Sequence, residues 1–155
     1  MDSSAIVKYY VTEPGSLWVR NSVDTPQNSS IICEISMPEV AAALSQMRES
    51  KRFGQKFMQE AFAHFQNDLR RGLFLIRPVD ADVIERAAMF ALDYGIKGYD
   101  AVQVASALIA QERTGLQIIF VSGDGKALRV AIANSMLVDN PFDHVAPEDM
   151  EYKRS

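Results

Sequence analysis

The chain has 155 residues, 48% of them hydrophobic and 23% charged, with a net charge of −4. That is room for one globular domain burying roughly two thirds of its unfolded surface, and it excludes a disordered tail, a fibrous repeat and a disulfide-dense mini-protein. The acidic balance excludes a non-specific DNA coat, which binds through a positive surplus. It leaves room for a nuclease whose own acids carry part of that charge.

In chain order, Ala5 to Val11 reads as a short helix stopping near Pro14-Gly15, and a second helical piece carries Leu17, Trp18 and Val19. Ser30 to Ile35 is an apolar, β-rich run, best read as a buried strand. Its single cysteine, Cys33, reads as a buried free thiol in a reducing cytoplasm. Ser36 opens a helix with Val40, Ala41, Leu44 and Met47 on one face. Gly54 stands near the start of the next helix, which reaches Arg71. Leu73 to Val79 is strand-like, and Asp80 or Asp82 starts a helix that Gly95 ends. Asp100 starts another, ended by Gly115. Gln117 to Val121 is the clearest buried strand, Ala127 to Ala133 a short helix, and Met136 to Val138 a last strand before Asn140-Pro141. Residues 1–147 form one domain, and 148–155 a polar, frayed tail. Apolar strands alternating with helices predict an α/β fold, a mostly parallel sheet covered on both faces. The start Met1-Asp2-Ser3-Ser4 has no secretory signature, and no apolar run approaches the length of a membrane span.

Ligands of open α/β sheets bind at the carboxyl ends of strands and the adjoining helix starts. Four carboxylates fall at such boundaries: Asp2, Glu39, Asp100 and Asp124. Each has an ordinary reading. Glu39 completes a capping box with Ser36, Asp100 sits where an N-cap belongs, Asp124 suits a turn or a cap, and Asp2 is a terminal acid. Together they repel unless a cation joins them, and oxygen-only ligands suit Mg²⁺ or Mn²⁺. Such a metal favours phosphoryl chemistry. His64 and His144 have no ligand-spaced neighbours, and no Ser-His-Asp order, Walker A loop or dinucleotide fingerprint is present.

Asp2-Ser3-Ser4-Ala5-Ile6-Val7-Lys8 resembles the opening motif of PIN-domain ribonucleases. Ser36-Met37-Pro38-Glu39-Val40-Ala41-Ala42-Ala43-Leu44 resembles their second motif. The run from Gly98-Tyr99-Asp100-Ala101 to Leu108 resembles the third, and Phe120-Val121-Ser122-Gly123-Asp124-Gly125-Lys126 the fourth. Val138-Asp139-Asn140-Pro141 resembles the family's closing residues. The motifs stand in the family's order over nearly the whole chain, and size and spelling are most similar to VapC-type toxins.

The resemblance implies an α/β/α sandwich and Mg²⁺- or Mn²⁺-dependent cleavage of single-stranded RNA. It also implies a homodimer held inactive by a cognate antitoxin protein. By position, Asp2 and Asp100 would be the principal metal ligands. Glu39 and Asp124 would hold the metal or its waters, one of them helping deprotonate the attacking water. Ser122 is either a bond within the site or a turn hydroxyl. In the family an apolar central strand precedes the first Asp, whereas here only Met1 does. The expectation is a truncated start, a gap in the sheet with unpaired neighbours, and Asp2 on a loose terminus.

Arg48, Lys51, Arg52 and Lys56 are either a solvated face or an RNA-backbone strip, while Arg70 and Arg71 suit a helix C-terminus. Among Tyr9, Tyr10, Trp18, Phe53 and Phe57, most belong to the core. A helix cannot bury the adjacent Tyr9 and Tyr10 on one face, so one of them is expected at a dimer or antitoxin interface. Two other readings compete with the nuclease. One is a PIN-fold binding protein impaired in cleavage by the absent strand. The other is a phosphoacceptor receiver domain with Asp80 as acceptor.

Overall fold

The structure is a computed structural model that describes residues 1–50 and 53–154. The elements are α1 (Ser3–Tyr10), α2 (Ser16–Asp24), β1 (Ser30–Cys33), α3 (Ser36–Glu49), α4 (Gln55–Arg71), β2 (Phe74–Arg77), α5 (Ala81–Tyr94), α6 (Gly98–Thr114), β3 (Ile119–Val121), α7 (Gly125–Ala133) and β4 (Leu137–Asp139). Two short 3₁₀ segments follow, η1 (Pro141–His144) and η2 (Pro147–Arg154). Helix boundaries obey the chemistry read from the sequence. Asp80 caps α5 by accepting from the Val83 amide, and Gly95 and Gly115 close α5 and α6. The start of α6 is the exception, because Lys97 is its N-cap and Asp100 lies within its first turn.

Both strand pairs are parallel. β1 runs beside β2, with Ser30 opposite Phe74 and Cys33 opposite Arg77. β3 runs beside β4, with Ile119 opposite Leu137 and Val121 opposite Asp139. Parallel neighbours require a crossover, supplied by α3 and α4 in the first case and α7 in the second. The fold is α/β as expected, but the sheet is divided into two ribbons of two strands. Each ribbon has its own apolar core. Ile6, Val11, Val19, Ile32, Val40, Phe65 and Phe74 gather around the first pair. Val83, Phe90, Val104, Leu108, Phe120 and Val130 gather around the second. Fully burying residues such as Phe65 and Phe120 stabilises by about 1.5–3 kcal/mol each.

Between β1 and β3 lies a narrow cleft of about 20 Å³, walled by Ile31, Cys33, Ile118, Phe120 and Ser106 of α6. No strand pairing joins β1 to β3 across it among the described residues. Its inner end is bridged by the first two residues. The Met1 ammonium donates to the Ile31 carbonyl (2.9 Å) and the Asp2 amide to the Val121 carbonyl (3.0 Å), so one short segment ties both ribbons. Burial pushes the Met1 amine below its ordinary value, partly offset by the charge of Asp2. Cys33 is buried, as expected, and burial raises its thiol pKa.

The chain's end is tied back to its beginning. Gly15, the N-cap of α2, has φ +86° and no side chain with which to cap. Asp149 supplies the cap, accepting from the Gly15 amide through Oδ2 and from the Leu17 amide through Oδ1, both at 2.9 Å. The segment expected to fray is therefore anchored at Asp149, a buried residue.

Candidate active site

One acid each stands at the start of α1, α3, α6 and α7. Asp2 caps α1. Its Oδ1 accepts from the Ala5 amide (3.1 Å) and the Ser4 hydroxyl (2.7 Å), and its Oδ2 accepts from the Ser122 hydroxyl. It is 6% exposed, so the loose terminus expected for Asp2 is not what the structure shows. Short polar groups from α1 and the β3 end reach it and hold it in place. Burial pushes its pKa up, against the bonds from Ser122, Ser4 and Ala5, which pull it down.

Glu39 lies in the first turn of α3. Its Oε2 accepts from the Ser3 hydroxyl (2.7 Å) and from the Gln103 amide group. The capping-box reading is thereby overturned: Ile35 is the N-cap, without a side-chain bond, and Glu39 turns toward α1 and α6. Gln103 itself is buried and also donates to the hydroxyls of Ser3 (2.9 Å) and Ser36 (3.2 Å). Asp124 is the N-cap of α7, accepting from the Ala127 amide (2.8 Å), so its ordinary reading as a cap holds. Its own amide donates to the Ser122 hydroxyl (2.9 Å), which therefore joins Asp124 to Asp2. Ser122 is both a turn hydroxyl and a bond within the site.

Asp100 faces the other three. Burial raises its pKa first, and then the negative charges of Asp124, Glu39 and Asp2, in that order, with Lys97 opposing. Like charge of this kind is felt at close range. Four carboxylates far apart in the chain thus share one electrostatic neighbourhood.

An all-oxygen donor set fits Mg²⁺ or Mn²⁺, and a cation is what would cancel the repulsion on Asp100. Among the described residues, no group of three or more His, Cys, Asp or Glu is already closed around one metal position. Asp2 and Glu39 spend oxygens on Ser4, Ser122, Ser3 and Gln103 instead. The residues fit the ion by chemistry, and the acids must draw together to hold it.

The remaining candidates lie outside the cluster. His64 is exposed on α4, and His144 stacks on Trp18 (4.4 Å between rings) and meets Asp139 at 2.6 Å. Asp80 is held by Arg77 (2.9 Å) and Arg113 (2.6 Å) while capping α5, and these contacts hold its carboxyl well below the usual range. That is a structural acid rather than a phosphoacceptor. Tyr9 and Tyr10 each satisfy their hydroxyls within the fold, on Asp24 (2.7 Å) and Asp68 (3.0 Å). Burial and Asp24 push Tyr9 up to about 12. Of the basic residues, Arg48 is exposed and Lys56 pairs with Glu60 at 3.8 Å, while Lys51 and Arg52 lie outside the described residues. Ser3, Ser4 and Gln103 had no role assigned from sequence. Gln103 carried a signal, as a polar residue one turn beyond Asp100 in an otherwise apolar helix run.

With this geometry in hand, comparison with known families gives one result: the PIN-domain profile matches residues 1–133, and the chain belongs to the PIN-domain family. PIN domains are typically nucleases that use divalent metal ions. No curated protein matches the chain. Membership removes the receiver-domain reading. No helix of the described residues is long and apolar enough to cross a membrane.

Proposed function

We propose that this chain is a metal-dependent endoribonuclease that cleaves single-stranded RNA, and that it is the toxin of a toxin–antitoxin pair of the VapC type. The observation that carries the nuclease is the environment of Asp100, whose carboxyl is raised by burial and by Asp124, Glu39 and Asp2 together. Such mutual repulsion is costly to keep in a fold, and it has a use where a divalent cation is to be bound.

Asp2, Glu39, Asp100 and Asp124 would hold Mg²⁺ or Mn²⁺. The ion supplies an acidic bound water and charge to offset the scissile phosphate. The chain's own groups do the rest. Ser122 and Ser4 orient the two oxygens of Asp2. Ser3 and Gln103 fix Glu39. Asp124, exposed at the start of α7, or Glu39 would take the proton of the attacking water. The competing reading, a binding-only PIN-fold protein impaired by the absent strand, predicts no cleavage, whereas the buried and hydrogen-bonded Asp2 favours a working site.

The toxin assignment, the homodimer and a cognate antitoxin rest on motif spelling and size. The test of the enzyme is Mn²⁺-dependent cleavage of a total RNA pool. The wild-type chain should cleave, and Asp100→Asn should lose at least about a hundredfold, since metal contributes several kcal/mol at about 1.4 kcal/mol per decade. Equal cleavage by both proteins would remove the nuclease reading.

A further inference from the structure

Beside the acids runs a groove of about 290 Å³ between α1 and α3 on one side and Gly123 and η1 on the other. Val7, Ala43, Met47 and Phe142 give it apolar walls, and Lys8, Glu13 and Asp124 belong to its lining. Phe142 is unusual among the exposed apolar residues. Its ring is 49% exposed, yet its backbone is fixed. The preceding Pro141 is buried, with its carbonyl oxygen 2.2 Å from where a Gly15 Cβ would lie, and the Phe142 amide donates to Asn140 Oδ1 at 3.0 Å. The ring edge rests on the Ser122-Gly123-Asp124 turn, where a Cβ on Gly123 would come within 3.0 Å of Phe142 Cε2. The ammonium of Lys8 stands 4.0 Å from the ring centroid, itself held by Glu13 (2.9 Å) and the Pro14 carbonyl (3.0 Å).

We propose that Phe142 is the stacking platform for one unpaired base of the RNA, seated in this groove beside the acid cluster. The proposal rests on the nuclease reading for its ligand. Lys8 and Glu13 offset each other's charge at 2.9 Å, which leaves the groove with the negative charge of Asp124, so a phosphate is repelled from it while the neutral, flat face of a base is accepted on the ring face that Lys8 does not cover. The continuity through Asp124 places that base next to the phosphate being cut. A ring held rigid before binding loses little entropy when a base stacks on it. A base must leave its stack to reach the ring, so the platform selects single strands over duplex. Phe142 is thus a specificity-determining residue.

The probe is a 2′-O-methyl RNA decamer, which resists cleavage, with 2-aminopurine placed at each position in turn. Wild type should quench its fluorescence at one or two positions. Phe142→Leu should weaken binding about ten- to a hundredfold and abolish the quenching, while Phe142→Trp should retain both. Cleavage is followed in parallel with unmodified RNA. A Phe142→Leu protein that cleaves with unchanged KM overturns the platform and leaves the nuclease standing. Quenching that depends on Phe142 in a protein that cuts nothing does the reverse. No quenching by wild type overturns the proposal and leaves the groove to an apolar helix of a protein partner.

Discussion

At the residue scale, Ser122 is the side chain that links two of the acids, Asp2 and Asp124. It is fully buried, donates to Asp2 and accepts from the Asp124 amide. Ser122→Ala leaves a buried carboxylate oxygen and an amide without their partner, which costs about 1–3 kcal/mol. Urea denaturation should show that loss, and a change below about 0.5 kcal/mol would mean water takes the hydroxyl's place. The four acids were legible in the sequence because strand ends and helix starts mark where ligands meet an α/β sheet. The groups that orient them were not. Gln103 and Glu39 are 64 residues apart, and a hydroxyl or amide in a local motif does not state which distant carboxylate it will meet. Glu39 shows the converse: a local capping signal lost to partners brought by tertiary packing.

At the element scale, helices were read more accurately than strands. Asp80 and Gly95 bound α5, as their capping chemistry required. The strands are shorter than their apolar runs: Leu73 to Val79 yields only Phe74–Arg77, with Leu75 and Ile76 exposed. A strand extends only as far as a neighbour pairs with it, and that is not a local property. The cap of α2 was likewise illegible, being supplied from the far end of the chain. Asp149→Ala should destabilise by about 1–2 kcal/mol, the usual cost of a lost cap. Burial raises the Asp149 carboxyl, but the amides of Ala146, Leu17 and Gly15 outweigh it and hold the group below its ordinary value. Its contribution is therefore present above the unfolded value near about 4 and lost as pH falls through the lower folded value. Denaturation curves of wild type and variant should converge on acidification; a constant gap from pH 6 to 2 would refute the charge-assisted cap.

At the scale of the whole molecule, the division into two ribbons is the dominant fact. The alternation of helix and strand gave the α/β class, but not the split of the strands into two pairs. The bridge by Met1 and Asp2 was unforeseen. Burial lowers the Met1 amine, so between its folded value and about 8 the unfolded chain binds more protons than the folded one. Stability should then rise with pH through neutrality toward pH 8. A variant with two or three apolar residues placed ahead of Met1 turns that ammonium into an amide and extends into the cleft. It should lose this pH dependence and melt several degrees higher, since one buried apolar side chain contributes about 1.5–3 kcal/mol and each kcal/mol raises Tm by about 2–4 °C. An unchanged melting curve would show that the cleft does not accept a strand.

The bond from Asp149 to Gly15 spans 134 residues. Its meaning is temporal as well as spatial. A ribosome makes α2 long before the carboxylate that caps it, because 132 residues separate Leu17 from Asp149. In the nascent chain α2 thus waits without its cap until Asp149 has been translated.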